Sequence, residues 1–187
     1  MVAARRWLLS PMIAWTLAAC EPAQSEAPPK SATVAAASED DPLVGYDLRR
    51  LRPVDDEPLG AMFDRVHQAA RAEHKRVVVL FSADWCEPCK RLDLELGNQH
   101  PSSMIGDVRI LELKEDDWKL AARMDEYNDL RARWEPVAGS YPLVVLLDQA
   151  GKRADEMKEA KLRLEAEGLE PTLPIWLAST NPSSNSN

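Results

Sequence analysis

Ser82-Ala83-Asp84-Trp85-Cys86-Glu87-Pro88-Cys89-Lys90 lies between two runs of different character. Before it comes Val77-Val78-Val79-Leu80-Phe81, a short, continuous, β-branched run that predicts a strand buried on both faces. After it comes Arg91-Leu92-Asp93-Leu94-Glu95-Leu96-Gly97, with Leu92 and Leu96 one helical turn apart and a glycine at the end, which predicts a helix and its stop. Two cysteines therefore open a helix that follows a strand. Their spacing puts both on one face and lets the sulfurs meet. A helix start presents unpaired N–H groups and a positive dipole end, and both favour a thiolate. Cys86, at the outer end, is expected to be the exposed and more acidic nucleophile. Cys89, one turn in, is expected to be the buried resolving thiol. Pro88 fits the first turn, where no N–H is missed.

The rest of the chain extends this alternation. Leu59, Met62, Phe63, Val66 and Ala70 recur at helical spacing behind Pro58, which predicts an amphipathic helix to about His74. His67 lies beside that apolar face and reads as a polar boundary residue. Val108 to Leu113 alternates as a half-buried strand. Trp118, Ala121, Ala122 and Met124 predict a helix, and Leu130, Trp134 and Val137 a second short one. Leu143 to Leu147 is another strand, and the turn Asp148-Gln149-Ala150-Gly151 folds it back on a short strand near Lys152 to Ala154. Asp155 to Glu167 reads as a surface helix closed by Gly168. Leu173, Ile175, Trp176 and Leu177 form a last apolar patch. Tyr46, Leu48 and Leu51 read as an extended arm on the domain. The succession is that of one α/β domain over residues 46–180, followed by a polar tail, 181–187.

Trp85-Cys86-Glu87-Pro88-Cys89-Lys90, with Tyr141-Pro142 ahead of the Leu143–Leu147 strand, resembles the thioredoxin superfamily. The lead-in Ala83-Asp84-Trp85-Cys86 is similar to the C-terminal periplasmic domain of the thiol:disulfide interchange protein. The Cys-Glu-Pro-Cys core also occurs in thioredoxin-like proteins of cytochrome c maturation. The resemblance spans roughly residues 59–156. It implies a central mixed sheet flanked by helices and a cis proline at Pro142 facing the cysteine pair. The Tyr141 backbone would then pair with an extended substrate segment, and the Pro142 ring would keep metals away. The implied activity is thiol–disulfide exchange by Cys86 and Cys89, with Trp85 as a flat apolar wall beside the sulfurs. The family's buried aspartate, six residues before the first cysteine, is replaced here by Leu80. Asp93, on the helical face of Cys89, and Glu87 are the alternative proton acceptors. Glu87 would also set a negative charge near the sulfurs, raising the Cys86 pKa and favouring a reducing couple.

At the other end of the chain, Arg5 and Arg6 precede an apolar stretch from Trp7 to Leu17 and then Leu17-Ala18-Ala19-Cys20. This resembles a bacterial lipoprotein signal, residues 1–19, with Cys20 as the lipidated residue. Glu21 then points to the outer membrane. An ordinary signal peptide or a short anchor is the alternative reading. The apolar stretch is too short and too interrupted for a transmembrane helix. Residues 20–45, rich in Ala, Pro, Ser and Glu, read as a flexible tether.

The whole chain carries 23 Lys and Arg against 31 Asp and Glu, a formal charge of −8. Loss of residues 1–19 removes two arginines and no acid. An acidic protein repels nucleic acid, so that class of partner is disfavoured. With Cys20 lipidated, Cys86 and Cys89 are the only cysteines left, which leaves no disulfide framework. Zinc would need more ligands, and His67, His74 and His100 are not at ligand spacing with the pair. The acidic cluster Glu112, Glu115, Asp116 and Asp117 reads as a solvated loop and helix start rather than a metal site. No cofactor is expected. The expected partners are disulfide-bearing or dithiol proteins, with a membrane thiol-reductase as electron donor. The rival functions are a binding module with Cys86–Cys89 as a permanent bridge, and a copper(I) chaperone holding the metal through two thiolates.

Overall fold

The computed structural model describes residues 40–135, 139 and 141–181. The stretch read as a lipoprotein signal (1–19), Cys20, most of the stretch read as a tether, Val137 and residues 182–187 lie outside the described residues. The elements in chain order are β1 (Leu43–Gly45), β2 (Asp47–Arg50), α1 (Leu59–Ala72), β3 (Arg76–Ser82), α2 (Glu87–Leu96), β4 (Gln99–Pro101) and α3 (Ser102–Ile105). There follow β5 (Val108–Lys114), a 3-10 turn at Glu115–Trp118, α4 (Ala121–Ala132), β6 (Leu143–Leu147), β7 (Arg153–Glu156), α5 (Met157–Ala166) and α6 (Leu173–Ser179).

Five strands form one sheet in the order β2-β5-β3-β6-β7, and β1 pairs with β4 outside it. β3 is parallel to β5 and antiparallel to β6, so the sheet is mixed. The two-residue period of a strand sorts the core into two layers. Val77, Val79 and Phe81 point to the face covered by α1 and α4, with Phe63, Tyr127 and Trp134. Val78 and Leu80 point to the other face, with Ile105 of α3, Leu164 of α5 and Trp176 of α6, and with Leu92 and Leu96 of α2 packed against them. The strand at the centre of the sheet is thus apolar from Val77 to Phe81 because both its faces are covered.

Several boundaries differ from those read in the sequence. β5 is buried on both faces instead of half-buried. Its arginine can be buried because the Arg109 guanidinium donates to the carboxylates of Asp47 and Glu73. β1 falls inside the stretch read as tether, and Ser102 N–H donates to Pro42 O at 2.9 Å, so ordered chain precedes residue 46. The arm at Leu48 is β2, an edge strand parallel to β5. Met124 and Leu130 share one helix, α4, with Trp118 in the 3-10 turn ahead of it. The last helix of the hairpin unit starts at Met157 because Asp155 and Glu156 still pair with β6. Gly168, at φ 73°, takes the left-handed position that follows a helix C-cap.

The apolar patch at the end of the chain is α6, and it is part of the core. Trp176 and Leu177 are fully buried, and Trp176 Nε1 donates to Asp155 Oδ2 at 2.9 Å. Trp176→Ala removes a large side chain from a closed layer and leaves a cavity. It is expected to lower stability by about 3–5 kcal/mol, read by urea unfolding. A change below about 1 kcal/mol would show that α6 is an appendage.

Candidate active site

β3 ends at Ser82 and hands the chain directly to α2. Cys86 N–H donates to Ala83 O at 3.2 Å, which closes a tight turn. Cys86 then stands at the N-cap of α2 with extended backbone, and Pro88 sits in the first turn. The Cys86 sulfur accepts the Cys89 N–H at 3.2 Å, taking the place of a capping oxygen. The two sulfurs are bonded to each other, with Cα atoms 5.2 Å apart. A sulfur at this point meets the Cys89 N–H, shared with Cys86 O, and the positive end of the helix, so the site favours a thiolate once the bond is opened.

Cys89 is buried, and so, against expectation, is Cys86, at 4 % exposure. The cause is local. Its sulfur is turned inward to Cys89, and the Tyr141 ring packs on the cluster of Ala83, Cys86 and Cys89. The Tyr141–Pro142 bond is cis. Tyr141 is fixed from three sides. Its hydroxyl is 3.0 Å from the Tyr127 hydroxyl, the Arg131 guanidinium lies 4.3 Å from its ring centroid, and Trp85 meets it edge-on at 5.5 Å. Burial pushes the Tyr141 hydroxyl above the ordinary tyrosine range. Trp85 is 66 % exposed, and its Nε1 donates to Glu115 Oε2 at 3.2 Å. It therefore forms an open wall beside the pair. Tyr127, Arg131 and Glu115 were not singled out as site residues in the sequence. Only the long-range packing of α4 and the 3-10 turn brings them here.

The thioredoxin family model matches residues 61–128, which include most of α1, β3, the cysteine pair, α2 and β5. Over those residues the chain is similar to the thioredoxin family. The bonded pair at the start of α2 is the arrangement that thiol–disulfide exchange requires. A search of curated sequences found no match. Among solved structures, a disulphide isomerase from Xylella fastidiosa Temecula1 is 21% identical with a TM-score of 0.45, covering 69% of this chain and 96% of its own. A poplar thioredoxin h is 21% identical with a TM-score of 0.42, covering 64% and 95%. The C-terminal domain of DsbD from Neisseria meningitidis, in its oxidised form, is 22% identical with a TM-score of 0.34, covering 52% and 80%.

The carboxylates around this thioredoxin-type pair are placed differently from the sequence expectation. Glu87 is exposed and ion-paired to Lys90 at 2.5 Å. The Lys90 ammonium holds its carboxyl below the usual glutamate range and offsets the charge it would set near the sulfurs. Asp93 is ion-paired to Lys114 at 3.1 Å, and Lys114 also holds Asp84 at 3.2 Å. The acidic cluster is partnered instead of merely solvated. Asp117 receives two hydrogen bonds from Arg50, and Asp116 accepts the Asp84 N–H. Glu112 is the exception to exposure. It is buried beside Leu80, its register partner on β3, and accepts a hydrogen bond from Ser82 Oγ at 3.2 Å. Burial pushes its carboxyl above the ordinary range, against the opposing pull of Lys114 and Arg50. The sequence signal was present: Glu112 occupies the third position of a stripe whose other members, Val108 and Ile110, are apolar.

A carboxyl that resists ionisation in the fold ionises more readily in the unfolded chain, where its pKa is about 4.3. Stability contributed by protonated Glu112 is therefore full below that value and lost as pH rises through the raised one. Glu112→Gln should flatten the fall in stability as pH rises above about 4.3, measured by urea unfolding across a pH series. Parallel profiles for the two proteins would contradict this assignment.

Proposed function

We propose that this protein is a membrane-tethered periplasmic oxidoreductase whose Cys86–Cys89 pair acts as a reductant. The observation that carries the reading is the bonded pair at the start of α2, against the ring of Tyr141 and beside the exposed Trp85. In the reduced protein the Cys86 thiolate attacks a substrate disulfide. A bond forms between Cys86 and one substrate sulfur, and the second substrate sulfur leaves and takes a proton. Cys89, deprotonated, then attacks the Cys86 sulfur. The Cys86–Cys89 bond closes and the first substrate sulfur is released as a thiol. Two electrons have passed to the substrate, and a dithiol donor must return them. A membrane thiol-reductase is the donor of matching chemistry for an exported protein.

The reducing direction is supported by the charges around the pair. Glu115 accepts the Trp85 Nε1–H and has no ion-pair partner among the described residues, whereas Lys90, Lys114 and Lys119 offset Glu87, Asp84 and Asp116. Negative charge there disfavours the thiolate of the reduced form and so favours the protein that gives electrons away. The tether and the anchor rest on the sequence of residues 1–45, with Cys20 as the acylated residue and the periplasmic face of the outer membrane as the address. Among the described residues no helix is long and apolar enough to cross a membrane.

Dithiothreitol-driven reduction of a disulfide protein tests the activity. The parent protein is expected to accelerate it and Cys86→Ser to abolish the acceleration. No acceleration by the parent, or equal rates for both, would overturn the catalytic assignment. The low exposure of Cys86 favours a second reading, in which the bridge is permanent and the fold is a binding scaffold. A redox titration separates the two: the catalytic pair opens above roughly −300 mV, whereas a structural bridge resists reduction there.

A further inference from the structure

A groove of about 740 Å³ lies along the face between α2 and α5. It begins at Pro88, Tyr141 and Pro142, so it is continuous with the site. Its apolar lining includes Leu92 of α2, Leu173 at the start of α6, and Leu162 of α5, which is 65 % exposed. Tyr141, Pro142 and the α5 and α6 walls lie beyond the stretch that the family model matches.

Three cations line this groove: Arg91, Lys158 and Lys161. None has an ion-pair partner among the described residues, although the neighbouring arginines of the hairpin unit do. Arg153 holds Glu156 and Glu159, and Arg163 holds Asp155. Lys161 and Glu165 stand one turn apart and both line the groove, yet they are not paired. The other carboxylate in the lining, Glu95, is engaged by the Tyr46 hydroxyl, Asn98 and His100. The groove thus carries three cations outside any ion pair among the described residues, against two carboxylates, in a chain whose formal charge is −8.

We propose that this groove seats the polypeptide segment beside the substrate's reacting disulfide, and that it selects segments in which apolar residues are flanked by acidic ones. The inference rests on the oxidoreductase reading and adds the substrate class. Apolar side chains would cover Leu92, Leu162 and Leu173, while carboxylates would meet Arg91, Lys158 and Lys161. Complementary charge of this kind acts chiefly on partner choice and on the rate of encounter. The net negative charge of the rest of the protein would oppose acidic partners elsewhere on the surface, so selection is confined to this groove.

The test uses the full chain, dithiothreitol as electron source, and two cystine peptides of equal length. Both carry a leucine beside the disulfide, flanked by glutamates in one and by lysines in the other. Hydroxyethyl disulfide, small and uncharged, is run alongside. The acidic peptide is expected to be reduced roughly tenfold faster than the basic one at low salt, equivalent to about 1.4 kcal/mol. The ratio should fall toward one near 1 M salt, where screening is nearly complete. In the double variant Lys158→Glu/Lys161→Glu the ratio should invert. Equal rates for the two peptides at low salt, or an unchanged ratio in the variant, would overturn the groove proposal while leaving the redox activity intact. Failure to reduce hydroxyethyl disulfide would overturn both. The salt series on the parent needs no variant, so a folding defect in the double variant does not shield the proposal.

Discussion

The Cys86 sulfur accepts the N–H of Cys89 across the first turn of α2. This contact joins the fold to the chemistry. It requires a strand that ends at Ser82, a turn at Ala83 and a helix that starts at Glu87. Each of those depends on β3 being held at the centre of the sheet between β5 and β6. The two core layers fix β3, β3 aims the helix start, and the helix start sets the electrostatics of the sulfur. The surroundings then complete a site of mixed character. Tyr141 and Trp85 give one apolar and one open wall, and acidic side chains surround a helix end that would otherwise strongly favour the thiolate.

The most informative departure lies one strand away from the pair. Leu80 stands where the superfamily resemblance leads one to expect a buried acid. The register of the sheet sets Glu112 of β5 directly against it. A buried carboxyl is therefore present under α2, but it is carried on the neighbouring strand and tied to Ser82. Asp93, which the helical spacing suggested instead, is committed to Lys114 at the surface. Helical spacing places a residue on a face. It does not say which partner the side chain finds there.

The sequence was most legible where period and burial coincide. The Val77–Phe81 and Leu143–Leu147 runs are apolar at every position, as central strands must be, and both are strands in the structure. The amphipathic repeat from Leu59 to Ala70 is likewise a helix with its apolar face buried. Legibility failed where pairing across long distances sets the environment. Arg109 and Glu112 made β5 look half-exposed, because nothing local announces that Asp47, Glu73 and Ser82 wait across the fold. β1 and β4 are each too short to show a period, and they exist through their mutual pairing. At the site, the cysteines and Pro142 were readable from motif alone. Tyr127, Arg131 and Glu115 reach it only through tertiary packing.

On the proposed reading, the start of α2 makes the Cys86 sulfur more acidic than a free thiol despite the carboxylates around it. The direct measurement is the rate of alkylation of Cys86 by iodoacetamide in the fully reduced protein across a pH series. The account predicts a midpoint at least one unit below that of a free cysteine, about 8.5. A midpoint at or above the free-thiol value would contradict it.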